Sequence, residues 1–174
     1  MLEEETVLKQ TNEVAVKDDP REETASASVS YADELLEKIK QFFPAQEQDL
    51  RAYSPLALAF IGDGIFELVV RTVVITKANR GNGDLHKMAV HYVKAPSQAR
   101  MMEKIKPVLT PEESDVLRRG RNASPHSKAK NASLSEYHKA TAFEALLGYL
   151  YLSGRTERML ELIRMGMDEI DAGR

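Results

Sequence analysis

The 174-residue chain contains no cysteine. That excludes disulfides, thiolate metal sites and a cysteine nucleophile, and it fits a reducing compartment, so the cytoplasm is the expected location. Aromatic residues make up only 6% of the chain. Those present are embedded in apolar stretches, which argues against single-strand recognition by base stacking on a sheet. No Walker loop, nucleophile elbow, dinucleotide fingerprint or HExxH pair occurs. The start, "MLEEETVLKQ", has neither a basic region nor an apolar core, so no export signal is expected there. Long uninterrupted hydrophobic runs are missing too. The nearest approach to a membrane span, Leu56 to Ile75, is broken by Asp63, Glu67 and Arg71, and reads as a helix of a soluble core.

The net charge of −3 conceals an asymmetry. Residues 1–30 hold eight acids and three bases (−5), which leaves +2 for residues 31–174. The first thirty residues are rich in Glu, Lys, Ser, Thr and Ala without sustained apolar periodicity, and read as a disordered acidic tail. The remainder, residues 31–174, suffices for one domain that buries roughly two thirds of its unfolded surface.

Helical periodicity dominates that domain. "SYADELLEKIKQFF" sets Leu35, Leu36, Ile39, Phe42 and Phe43 on one face and stops at Pro44. Ser54 and Pro55 open an apolar helix to about Thr76, whose end, "VVRTVVI", is also compatible with a strand. Asp84 is expected to cap a helix that stops at Pro96, and Ser97 to Pro107 forms another. Thr110, Pro111 and Glu113 spell a capped start, with Gly120 as a left-handed end. A long helix from about Leu134 to Leu152 ends at Gly154, and Thr156 to Ala172 follows. The expected class is all-α, with six to seven helices.

Two helices carry an acid where leucine would pack better: Asp63 in "ALAFIGDGIFELVVR" and Glu144 in "ATAFEALLGYLYL". A carboxylate in apolar surroundings needs a cation, donors or a metal. Gly62 and Gly64 flank Asp63, and Gly148 lies one turn after Glu144, so the helices are expected to cross closely beside their acids. Glu67 shares the face of Asp63 and completes a candidate set of three oxygen donors suited to Mg²⁺ or Mn²⁺. Structural ion pairs with lysine or arginine are the competing reading. His86, His91, His126 and His138 have no ligand spacing and read as surface or helix-face residues.

"RRGRNASPHSKAK", residues 118–130, contains Arg118, Arg119, Arg121, Lys128 and Lys130 and no acid. A polyanion would be drawn to this edge, and a duplex bound through phosphates and sugars suits it better than a single strand.

"FIGDGIFEL" and "FEALLGYLYL" together resemble the paired signature helices of ribonuclease III domains. With "NGDLHKMAVHYVKA", "RRGRNA" and "KNASLSEYHKATAFEAL" added, the chain from about residue 50 to 170 is similar to the Mini-ribonuclease III family, which consists of the endonuclease domain without a double-stranded-RNA-binding domain. The resemblance implies an all-helical homodimer that hydrolyses double-stranded RNA with Mg²⁺ and leaves 5′-phosphate and 3′-hydroxyl ends. It implies the 23S ribosomal RNA precursor as substrate, with a ribosomal protein as a possible assisting partner. By position, Asp63 and Glu144 match the two acids required throughout the class, and Phe60 matches an apolar residue that docks into the partner subunit. Larger ribonuclease III enzymes carry further acids where this chain has Ala59 and Thr141; the mini branch lacks them. The retained acids argue against a catalytically silent RNA- or ribosome-binding module, the main alternative, and a plain helical interaction protein is the third.

Overall fold

The computed structural model describes residues 31–46, 48–123 and 133–173. The expected acidic tail, residues 1–30, lies outside them, as do His126, Lys128 and Lys130. Seven α-helices follow in order: α1 Tyr31–Phe42, α2 Pro55–Lys77, α3 Asn82–Val93, α4 Ala95–Ile105, α5 Pro111–Asn122, α6 Leu134–Leu152 and α7 Thr156–Ala172. Short 3-10 turns occupy Leu50–Ala52 and Lys106–Val108, and no strand occurs among the described residues. Residues 69–75, where a strand was the other expectation, are helical. Among the described residues no helix is long and apolar enough to cross a membrane.

Local chemistry explains most boundaries. Ser54 Oγ accepts the Ala57 amide at 3.1 Å and Pro55 takes the first helical position of α2. Thr110 and Glu113 form a full capping box on α5, and Ser133 and Glu136 form a second on α6. Gly154, at φ +69°, makes the left-handed turn between α6 and α7.

Three expectations are corrected. Gly81, rather than Asp84, caps α3; Asp84 lies inside the first turn, where its charge complements the helix N-terminus. Pro96 does not end α3 but sits in the first turn of α4, which starts at Ala95 directly after Lys94. Gly120 does not end α5, which runs on to Asn122; it is buried against α6, and a Cβ there would come within 2.9 Å of Ala142 Cα.

Helices α2 and α6 form the central pair, flanked by α4, α5 and α7. The main core gathers Phe66, Val70, Met101, Ile105, Phe143, Leu146, Leu150 and Leu162, with Phe66 and Phe143 edge to face at 5.4 Å between ring centroids. A smaller cluster of Leu58, Ala59, Val116, Ala145 and Tyr149 fills the other end. Among its described side chains α1 contributes only Leu36 to the core, and its expected apolar face is largely open, with Phe42 76% and Phe43 77% exposed.

The crossing of α2 and α6 depends on glycine. A Cβ on Gly62 would drive into the Glu144 carbonyl and come within 2.8 Å of Gly148 N; one on Gly148 would drive into the Leu58 carbonyl. Backbone meets backbone at this point, which no larger residue permits. Gly64, by contrast, faces open space and has no such role.

Candidate active site

The glycine contact fixes where the two unusual acids stand. Asp63 follows Gly62 directly, and Gly62 abuts the Glu144 backbone, so both acids project from the same crossing. Glu144 is half-buried, in a helix otherwise apolar from Ala140 to Leu152 apart from the buried Thr141. Loss of water and the nearby Asp63 charge push its carboxyl up to about 8, opposed in part by a hydrogen bond from Gln98. Asp63 is exposed, yet partial desolvation and the charge of Glu67 one turn on also raise its carboxyl. Among the described residues no cation contributes to either acid.

The expected third donor is engaged elsewhere. Glu67 accepts Arg71 Nη2 at 2.6 Å and Nε at 3.0 Å, one turn along α2. Among the described residues no three acidic, histidine or cysteine side chains lie together as a ready metal cage. The two-acid site therefore carries fewer protein oxygens than the sequence reading allowed. Ala59 and Thr141 are both buried and offer no carboxylate to enlarge it.

Glu113 shows how this chain treats an acid that is only structural. It is 1% exposed, accepts Arg158 Nε at 3.0 Å and Nη2 at 3.1 Å, and takes the Thr110 amide at 2.9 Å. Those donors hold its carboxyl below the ordinary glutamate value despite burial. Among the described residues Asp63 and Glu144 have no such ion pairs. The competing structural reading describes Glu113, and no described lysine or arginine pairs with either acid at the crossing. Two neighbouring hard oxygen donors, the charge of Asp63 disfavouring that of Glu144, suit a hydrated divalent cation.

Of the basic edge, Arg119 and Arg121 lie on the last turn of α5 and Arg118 just before it. Asp115 holds Arg118 at 2.5 Å and Arg119 at 3.4 Å. The Arg121 carbonyl accepts His138 Nδ1–H at 2.9 Å, joining the end of α5 to the start of α6. Two surface clefts of about 300 and 360 Å³ open elsewhere, and neither is lined by Asp63 or Glu144. At the acid pair Asp63 is exposed to solvent and Glu144 half-buried.

Phe60 projects from α2 one turn before Asp63 and is 84% exposed, on a stripe continued by Leu68 and Ile75. Gln98 was missed in the sequence. It is 2% exposed, on α4, beside Glu144. Its signal was a polar residue on the stripe that also carries Met101, Met102 and Ile105.

Comparison with known proteins agrees with this geometry. Residues 56–155 match the Ribonuclease III domain, a span that contains both acids. The chain is 44% identical over 119 residues to Mini-ribonuclease 3 of Symbiobacterium thermophilum, covering 68% of this chain and 92% of that one. It is 46% identical over 117 residues to Mini-ribonuclease 3 of Brevibacillus brevis, covering 67% and 87%. A crystal structure of a Fusobacterium nucleatum protein superposes with a TM-score of 0.63 at 30% identity, covering 70% of this chain and 98% of that one. With the all-helical fold, the domain match and these relatives in agreement, the chain belongs to the ribonuclease III endoribonucleases, in the Mini-ribonuclease 3 family.

Proposed function

We propose that the protein cleaves double-stranded RNA with a divalent cation, Mg²⁺ or Mn²⁺, held by Asp63 and Glu144. The observation that carries this reading is the pair of neighbouring carboxylates without a cation partner among the described residues, in contrast to a structural acid, Glu113, that has one. When bound, the cation supplies an activated water and charge stabilisation at the scissile phosphodiester. The chain's own residues hold and orient it. Asp63 reaches the solvent side, where the duplex would lie, while Glu144 anchors the inner side. Glu67, tied to Arg71, acts on Asp63 through its charge.

The exposed Phe60, Leu68 and Ile75 stripe supports a homodimer joined along α2, which would set two sites along one duplex. Arg118, Arg119 and Arg121, with Lys128 and Lys130 in the following segment, are the phosphate contacts of this reading. Maturation of the 23S ribosomal RNA precursor in the cytoplasm is the biological role that the resemblance supports, and a ribosomal protein is a possible partner.

The test is Asp63→Asn. The variant is expected to keep the fold and oligomeric state of the wild type and to lose Mg²⁺-dependent cleavage of duplex RNA. Full residual activity would remove Asp63 from the site.

A further inference from the structure

Asp63, Glu67 and Arg71 are spaced by four and follow one line along α2, beside the stripe of Phe60, Leu68 and Ile75. Glu67 therefore stands one turn from Asp63 on the same face, but Arg71 holds it from the other side. Both contacts, from Nη2 at 2.6 Å and Nε at 3.0 Å, fall on Glu67 Oε2. The pair is solvent-accessible and lies within one helix, and such pairs are weakly held. Arg71 has a second environment. It lines the cleft of about 300 Å³ between α2 and α3, together with the polar Asn82 and His86 and the buried Val74 and Ala89. Among the described residues no acid lines this cleft. From Arg71 to Lys94 the chain holds five bases, Arg71, Lys77, Arg80, Lys87 and Lys94, against one acid, Asp84, which Lys87 faces at 3.9 Å.

We propose that Arg71 is a phosphate contact of the duplex, and that a backbone phosphate taken into the α2–α3 cleft releases Glu67 to the cation held by Asp63 and Glu144. Arginine suits both states, because its guanidinium forks onto a carboxylate or a phosphate with similar geometry. Exchanging one for the other costs little, since an exposed pair within a helix contributes little. Arg71 lies eight residues beyond Asp63, ~12 Å along the helix axis, so one duplex reaches both. A magnesium ion that keeps several waters accepts a further carboxylate directly or through one of those waters. The chain thus completes its metal shell when RNA lies in the cleft, which ties cation affinity to substrate. The inference rests on the metal and duplex-RNA reading of Asp63 and Glu144 given above.

The experiment compares the full-length wild type with Arg71→Ala and with Arg71→Ala combined with Glu67→Asp. Duplex RNA binding is measured in EDTA across a salt series, and Mg²⁺ affinity by isothermal titration calorimetry without RNA. Arg71→Ala is expected to weaken RNA binding and to make the plot of log affinity against log salt shallower by up to about one unit. The same variant is expected to lower the Mg²⁺ Kd several-fold, because Glu67 is free. Adding Glu67→Asp keeps the negative charge and shortens the side chain, and should abolish that gain; this separates ligation from the mere loss of a positive charge. An unchanged salt slope in Arg71→Ala overturns the phosphate contact. A wild-type Mg²⁺ Kd in Arg71→Ala, or a gain that survives Glu67→Asp, overturns the release of Glu67. A wild type that binds no Mg²⁺ overturns the metal site itself, and this inference with it, whereas Mg²⁺ binding by the wild type with indifferent variants overturns this inference alone.

Discussion

Gly62→Ala tests whether the acid pair is set by backbone contact. The added methyl would meet the Glu144 carbonyl oxygen and carbon and, at 2.8 Å, Gly148 N, all of them main-chain atoms within helix α6. No flexible side chain can swing aside, so the helices must part, loosening Leu58, Phe66 and Phe143, each 0% exposed. Overpacking of this kind costs about 1–3 kcal/mol and occasionally more. Replacing a mid-helix glycine by alanine returns about 0.5–1 kcal/mol. Taking the upper end because the opposing atoms are backbone, a net loss of about 2 kcal/mol is expected. Gly64→Ala, two residues on in the same helix, meets nothing within 4 Å and should gain about 0.5–1 kcal/mol by the propensity effect alone. The assay is urea unfolding followed by far-ultraviolet circular dichroism, in EDTA and at one protein concentration, so that neither metal nor association contributes differently. A Gly62→Ala variant as stable as Gly64→Ala would refute the idea that the crossing positions the acids.

The site also predicts a pH dependence. The Glu144 carboxyl is raised from 4.5 to about 8 in the folded chain, so its contribution is fully present below about pH 4.5 and is lost as pH rises through 8. In EDTA the chain should lose on the order of 2 kcal/mol between pH 6 and 9. Mg²⁺, which favours the ionised acids, should reduce the loss and Glu144→Gln should flatten it; urea midpoints across that range give the answer, and a profile identical in wild type and Glu144→Gln would count against the pairing. Replacing Arg118, Arg119 and Arg121 together by alanine should weaken duplex binding at low salt and make the plot of log affinity against log salt shallower by up to about one unit per lost phosphate contact. An unchanged salt slope would take this edge out of the RNA interface.

What could be read from the sequence follows from the range of the interactions. Caps act within four residues, and Ser54 with Pro55, or Thr110 with Glu113, announced their helices without any tertiary knowledge. The acids in apolar helices were legible because burial of a carboxylate is costly wherever its partner comes from. Residues whose meaning depends on a distant neighbour were harder. Gly120 looked like a terminator because glycine often is one, and only the position of Ala142 shows that it makes room for α6. Leu35, Ile39, Phe42 and Phe43 form an apolar face that periodicity detects, but among the described side chains of α1 it is Leu36 that is buried in the core. Glu67 lay within reach of both Asp63 and Arg71, and spacing by four could not choose between a ligand and the ion pair that forms.

The coincidence of glycines and acids at one crossing has a physical reason. Packed helices ordinarily keep their axes about 8–10 Å apart, a distance set by the side chains between them. An aspartate has a single methylene with which to reach across such a gap. Removing the side chains at Gly62 and Gly148 brings the backbones together and lets Asp63 and Glu144 face one site from different helices. The same closeness strips water from Glu144 and sets the Asp63 charge beside it, which raises the Glu144 carboxyl, while partial burial and the charge of Glu67 raise that of Asp63. Packing elsewhere must hold that arrangement, and the Phe66–Phe143 contact, formed by the residues three after Asp63 and one before Glu144, lies next to it. If the acid pair holds a divalent cation as proposed, the same two glycines set its geometry, so a substitution that relaxes the crossing should weaken metal binding even where it leaves both carboxylates in place.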